Sequence, residues 1–272
     1  MDAFHVFWTK PSLQRNFGKI EVPVYERLVW ILSALNWKKA NGSMGIVTDS
    51  VGIEWLSRNG MLNLYDDIRS DLDDMPPVDP ELFWAAGKLR ALKERRLPCV
   101  ILDTDMIIWK GLDAVLKAEI TVSHFEEINS GTYPDLRSNP FCSACEFPEE
   151  WDWAVSPANT SFLYFPAEAA RIREKYIRQA FLFMSEVDAQ AFDPVQFMCF
   201  VEQRLLSMIS NAAGMKVKSL LDFDRLEEQN IATHLWGYKR ILKSDPAECD
   251  AFCRRCIKRI QSDFPSFEIC CF

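Results

Sequence analysis

Glycine is scarce at the start of this chain. Only Gly18 falls within the first 40 of its 272 residues. A nucleotidyltransferase is expected to carry a Gly-rich phosphate loop near its N-terminus, so that reading loses ground. No apolar run approaches 18 residues, which argues against a membrane span. The opening MDAFHVFWTKPSLQRNF lacks a basic region followed by an apolar one and does not read as a secretory signal. The expected location is the cytoplasm, with peripheral contact at a membrane left open. Basic excess is missing too: 31 Lys and Arg stand against 39 Asp and Glu, a net charge of −8. That sign disfavours nucleic acid as a partner. An anionic small ligand stays admissible, because a bound cation can reverse the field inside one cleft. There is no Gly/Ser linker, internal repeat or low-complexity tract, so one domain over 1–272 is expected.

The composition is otherwise that of a folded protein, 49% apolar and 26% charged. Nine cysteines are present. Without a signal peptide they are expected as thiols rather than a disulfide framework. Cys249, Cys253 and Cys256 share a helical face with Ile260 and read as small core hydrophobes. Cys142 and Cys145 form a lone CxxC, which with Cys253 and Cys256 is an alternative zinc set.

Strand-like and helix-like segments alternate. Short β-rich runs are His5–Trp8 and Gly45–Thr48, the latter following the Asn41-Gly42 turn signal. Pro98–Leu102, Ile120–Ser123, Ser161–Phe165 and Val217–Leu221 read as further strands. Val24–Leu35 carries a helical apolar stripe at 28, 31, 32 and 35. Helices are also predicted over Pro80–Arg96, Ala167–Val187 and Val195–Ile209. A closing helix is capped by Asp245, with Pro246 at its first position and Glu248 behind, and runs to about Ser262. Glu126–Asp152 is a long, aperiodic excursion of the kind that serves a site. The pattern predicts an α/β fold with a mixed, mostly parallel central sheet flanked by helices.

Chemistry concentrates at PCVILDTDMIIW. A buried strand ends, and Asp103 and Asp105 follow at i and i+2 around Thr104. In parallel sheets, ligands sit beyond the strands' carboxyl ends. Two hard oxygen donors so close suit Mn²⁺ or Mg²⁺. A bare DxD is common in solvated turns, and Asp71–Asp73 is expected to be one. Here the apolar strand before the pair and Met106–Trp109 after it set the acids in an apolar context, where they need a cation. The second segment is Thr233-His234-Leu235-Trp236-Gly237-Tyr238-Lys239. His234 is one of only three histidines and offers a neutral imidazole as third metal ligand. Gly237 is expected to allow close backbone approach to a ligand, and Lys239 to hold a phosphate.

Together these segments resemble the GT-A glycosyltransferases, especially those of glycosyltransferase families 8 and 32. In those families a strand ends in DxD, and the histidine of a C-terminal His-x-x-Gly-x-x-Lys segment completes the metal site. Asp103-Thr-Asp105 matches the first. His234-Leu-Trp-Gly237-Tyr-Lys239 matches the second with one residue fewer before the lysine. The resemblance implies a nucleotide-binding half over 1–125 and an acceptor-side half over 126–272. It also implies that Phe7, Trp8 and Thr9 face the base and ribose, with Asp49 beside them, and that Lys88 reaches the donor. Asn159 resembles the Asn opening the family's Asn-x-Gly strand near the transferred sugar, with Ser161 in place of the glycine. Asp193-Pro-Val-Gln196 resembles an Asp-Gln-Asp segment close to the anomeric carbon, which makes Asn159, Asp193 and Gln196 the catalytic candidates. His124 is a further cleft candidate.

The activity so implied is metal-dependent hexosyl transfer from a nucleoside diphosphate sugar, UDP-sugar first, to a hydroxyl of a glycan or polysaccharide, with retention. Inversion would instead require a base, for which Glu126 and Glu127 are the candidates. A non-catalytic nucleotide-sugar or glycan-binding protein on the same fold is the rival from another class.

Overall fold

The apolar runs become strands, and most are covered on both faces. The computed structural model describes residues 1–138, 145–187 and 193–269. The strands are β1 (Ala3–Phe7), β2 (Met44–Thr48), β3 (Asp67–Arg69), β4 (Cys99–Leu102), β5 (Met106–Ile108), β6 (Ile120–Phe125), β7 (Ala158–Phe165), β8 (Val217–Ser219) and β9 (Ala232–His234). Every residue of β2, β4 and β7 is buried, as expected where helices cover both faces of a sheet.

Seven strands form one sheet in the order β3-β2-β1-β4-β7-β6-β8. The pairs β2–β3, β1–β2, β1–β4 and β6–β8 are parallel. β7 alone runs antiparallel to both its neighbours, β4 and β6. The mixed, mostly parallel sheet is therefore the one the sequence predicts. The chain leaves β1 toward β2 and β3 on one side and returns as β4 on the other. The carboxyl ends of β1 and β4 thus flank a topological switch point, where ligands of open α/β sheets bind.

Alternation along the strands splits the core in two. Phe4, Ile101, Leu163 and Phe165 face one layer; Ala3, Val100, Leu102, Phe162 and Tyr164 face the other. The first layer packs against α4 (Ala86–Glu94), α5 (Ala170–Glu186) and α7 (Leu205–Ala212). The second packs against α2 (Val24–Ala40) and α9 (Pro246–Asp263). The Asp245 carboxylate accepts from the N–H groups of Ala247 and Glu248, so the expected cap forms. Cys256 and Ile260 are buried against the second layer, with Cys249 and Cys253 at its margin. These four cysteine-face residues are core packing. Cys142 lies outside the described residues.

Three expectations need correction. The helix predicted from Pro80 begins only at Ala86. Asp79 accepts from the N–H of Glu81 and, through its carbonyl, from Phe83, which closes a turn instead. Leu82 and Phe83 still reach the core from that turn. The helix predicted over Val195–Ile209 is α6 (Pro194–Cys199), a π-helical segment at Phe200–Arg204 and then α7. Most consequential, the His234 segment, where the sequence predicts no strand, holds one. Its β9 pairs antiparallel with β5, the short apolar run after the aspartates, in a two-stranded ribbon outside the main sheet.

Candidate functional site

The DxD pair is built by two ladders in succession. The Asp103 N–H donates to the Ser161 carbonyl at 2.8 Å, so this residue is still zipped to β7. Asp105 already belongs to the ribbon: its carbonyl accepts from the Leu235 N–H at 3.0 Å. Met106 then pairs with His234. The turn between the ladders sets both aspartates beyond the carboxyl end of β4, and the ribbon register brings His234 beside them. One ligand atom each from Asp103, Asp105 and His234 lie within 4.8 Å of one another, the one such group among the described residues. An ion with bonds of about 2.2 Å spans ligand atoms about 4.4 Å apart, so a small inward shift lets the three share one divalent cation. Two carboxylates and an imidazole suit Mn²⁺ or Mg²⁺ chemically.

Two lysines hold the acids. Lys88 Nζ is 2.6 Å from Asp103 Oδ1 and 2.5 Å from Glu202 Oε1. Lys239 Nζ is 2.8 Å from Asp105 Oδ2, and His234 Nε2 is 3.5 Å from Asp105 Oδ1. Burial pushes the Asp103 carboxyl above the usual carboxylate range, with Lys88 opposing and Asp105 adding to the rise. Burial also works against the Asp105 anion, but His234 and Lys239 outweigh it and hold its pKa well below that range. Burial alone would discharge Lys88; the Asp103 and Glu202 carboxylates reverse that and raise its pKa. Lys88 is thus a buried lysine paired with two carboxylates rather than a solvated one. Gly87 helps to place it: a Cβ there would meet Trp8 Cβ at 3.0 Å, so glycine lets α4 close on the end of β1.

These groups line a cavity of about 360 Å³. Trp8, Thr104, Asn159, Ser161, Gln203 and Trp236 are also on its wall. Trp8 Nε1 and Ser161 Oγ are buried polar atoms without a protein partner. Unpaired buried donors on a cavity wall are what a polar ligand satisfies. Trp8 and Trp84 also border an adjoining cavity of about 880 Å³, whose wall includes Trp55, Arg27, Asn59 and Lys243.

Other candidates lie elsewhere. Phe7 packs between Trp30 and Trp55 in the aromatic core. Asp49 accepts from the Thr9 N–H at 2.9 Å, the Thr9 hydroxyl at 2.8 Å and the Gly52 N–H at 2.8 Å. It caps α3 (Ser50–Arg58) and borders neither cavity. Asp193 caps α6 by accepting from Val195, and Gln196 donates to the Gly131 carbonyl, so both stand off the cavity wall. Gly237 has φ −64° and open space where a Cβ would go, so its glycine freedom is not used. Asp73 of the second DxD accepts from the Ser50 N–H and hydroxyl in a turn, as expected. His124 is buried, its Nε2 3.0 Å from Glu126 Oε1, and Asn159 Nδ2 donates to that same oxygen at 2.9 Å. His124 and, against burial, Asn159 hold the Glu126 carboxyl below its usual range. Glu127 is exposed.

Sequence reasoning missed Glu202 and Gln203. They sit on the π-helical segment, one to two turns beyond Gln196. Glu202 also accepts from the Thr160 hydroxyl at 2.6 Å, and Tyr133 donates to Gln203 at 2.5 Å. A signal was available: Glu202-Gln203-Arg204 interrupts an otherwise apolar helix. A π-segment in mid-helix often marks a functional site.

A protein-family model described as a family of unknown function, DUF6734, matches residues 1–245. The chain belongs to that family. No curated protein matches the DUF6734 chain. Among solved structures, it is similar to mouse xyloside xylosyltransferase 1 in its apo form, with TM-score 0.42, 12% identity and coverage of 85% of this chain and 91% of that one. It is also similar to the galactosyltransferase LgtC with donor and acceptor sugar analogs, at TM-score 0.38 and 11% identity, covering 80% and 73%. A third is the PaToxG glycosyltransferase, at TM-score 0.45 and 11% identity, covering 94% and 78%.

Proposed function

We propose that this chain is a metal-dependent glycosyltransferase that moves a hexose from a nucleoside diphosphate sugar, UDP-sugar first, to a hydroxyl of a glycan acceptor, with retention. The observation that carries this reading is the meeting of Asp103, Asp105 and His234 at the switch point of the sheet. Those three residues would hold the ion. When bound, a divalent ion supplies charge stabilisation to the departing diphosphate.

The chain's own groups supply the rest. Lys239 is a second cation at the ion site, charged because Asp105 and Glu26 outweigh its burial. Turned from Asp105, it meets a phosphate oxygen and stabilises the leaving group. The adjoining cavity with Trp55 and Arg27 takes the nucleoside. Trp8 Nε1 and Ser161 Oγ donate to the sugar nucleotide and so find the partners they lack. The amides of Asn159 and Gln203 face the transferred hexose, so the catalytic role expected of Asp193 and Gln196 falls to Gln203, with Glu202 as a positioning residue. Glu202 is engaged by Lys88 and Thr160 and acts by holding Lys88 on Asp103. The acceptor proton passes to the leaving phosphate, so no dedicated base is needed.

Thermal unfolding with UDP and other nucleoside diphosphates, with and without Mn²⁺, tests this. A ligand at 100 times its Kd adds about 2.7 kcal/mol. Stabilisation that needs Mn²⁺ and disappears in Asp105→Ala is expected, together with slow hydrolysis of a UDP-hexose. Stabilisation by no nucleotide overturns the reading. Binding without hydrolysis or transfer leaves a nucleotide-sugar binder.

A further inference from the structure

The ribbon that carries Asp105 and His234 has a carbonyl to spare. Leu235 N–H donates to the Asp105 carbonyl and Trp109 N–H to that of Ile231. Met106 and His234, paired between those positions, therefore face each other without ladder hydrogen bonds. The Met106 carbonyl points away from β9, into the core. A buried carbonyl without a partner is costly, and the Ser33 hydroxyl of α2 donates to it at 2.5 Å.

Ser33 is itself one link of a chain. Its hydroxyl has one proton, spent on Met106, so it accepts from His5 Nε2 at 3.0 Å. That fixes the tautomer: Nε2 carries the proton and Nδ1 accepts. Tyr65 O–H lies 2.9 Å from Nδ1 and donates to it. The Trp30 indole N–H, a donor only, closes the series, shared between the Tyr65 oxygen and His5 Nδ1, the latter at 3.0 Å. All four side chains are buried. One direction of donation runs from Trp30 through Tyr65, His5 and Ser33 to Met106, and each bond polarises the next.

We propose that this chain is a positioning device: it pins the β5–β9 ribbon to α2 and β1, and so sets Asp105 and His234 at the spacing an ion requires. The part that concerns the ion rests on the proposed metal site. The pinning of the ribbon does not.

The test uses the full chain. Ser33→Ala removes the last donor. Ser210→Ala is the control, a buried hydroxyl with no partner on α7, which packs in the other core layer. Tyr65→Phe breaks the chain upstream while keeping Ser33 in place, and serves if Ser33→Ala does not fold. Amide hydrogen exchange is followed at Leu235 and Trp109 in the ribbon and at Val100 in the main sheet, and Mn²⁺ affinity by calorimetry. Ser33→Ala is expected to speed ribbon exchange about 10-fold or more while Val100 is unchanged. Mn²⁺ affinity falls about 10- to 100-fold, as for other partners that orient metal ligands. Tyr65→Phe shifts both in the same direction by less. Ribbon exchange and Mn²⁺ affinity no different from Ser210→Ala, or exchange that rises equally at Val100, overturn the proposal. A wild-type chain that takes up no Mn²⁺ refutes the metal site, while the ribbon exchange still decides the pinning.

Discussion

Two apolar strands of one sheet each run into an aspartate, Asp49 after β2 and Asp103 after β4. Both carboxylates are largely withdrawn from water, yet their partners differ in kind. Asp49 is satisfied by the backbone N–H groups of Thr9 and Gly52 and by the Thr9 hydroxyl. Those donors are fixed by the fold and cannot leave. Asp103 and Asp105 are satisfied by Lys88, Lys239 and His234, side chains whose contacts can be exchanged for, or shared with, a bound cation. Strand-end placement alone therefore does not make an acid a ligand. What matters is whether its charge is answered by the backbone or by exchangeable groups.

The contrast can be broken by substitution. The largest effect is expected at Asp105→Ala, which removes a ligand outright. Mn²⁺ affinity in calorimetry falls more than about 100-fold, beyond the range of residues that only orient ligands, and sugar transfer is lost. Next comes Lys88→Met, which leaves Asp103 and Glu202 facing each other in a buried site. It costs about 3 kcal/mol in urea unfolding, and the loss narrows as Mn²⁺ is added, because the ion answers the same charge. Asp49→Ala costs about 2 kcal/mol through the α3 cap, by the same amount with and without Mn²⁺. The smallest effect is at Asp193→Ala, an exposed cap worth about 1 kcal/mol, with Mn²⁺ affinity unchanged. Equal metal dependence at Asp49 and Lys88 would erase the distinction.

The strands were readable because each is a dense apolar run between turn signals, PCVIL and SFLYF above all. Asp245-Pro-Ala-Glu248 announced its helix through local capping chemistry. His234 was found by its rarity and its resemblance to a family motif. The ribbon was not readable: three residues at 106–108 pair with three at 232–234, and no local pattern encodes so distant a partner. Its pinning by Ser33 and His5 was hidden for the same reason. Lys88 stands among Arg90, Lys93, Arg95 and Arg96, and only the family resemblance singled it out. Its burial follows from the late start of α4 and from Gly87 against Trp8, which are tertiary facts. Glu202 was legible in principle, since a charged residue inside an apolar helix needs a buried partner. Asp193 matched the family segment, yet its place before a proline makes it an ordinary cap.

The account stands on three side chains sharing one ion. A crystal grown with Mn²⁺ and UDP, measured for anomalous scattering at the manganese edge, addresses that claim without intermediaries. One strong peak is expected within about 2.0–2.6 Å of ligand atoms from Asp103, Asp105 and His234, with diphosphate oxygens on its open side. Manganese bound elsewhere, or diphosphate bound with no ion between it and these residues, would contradict it.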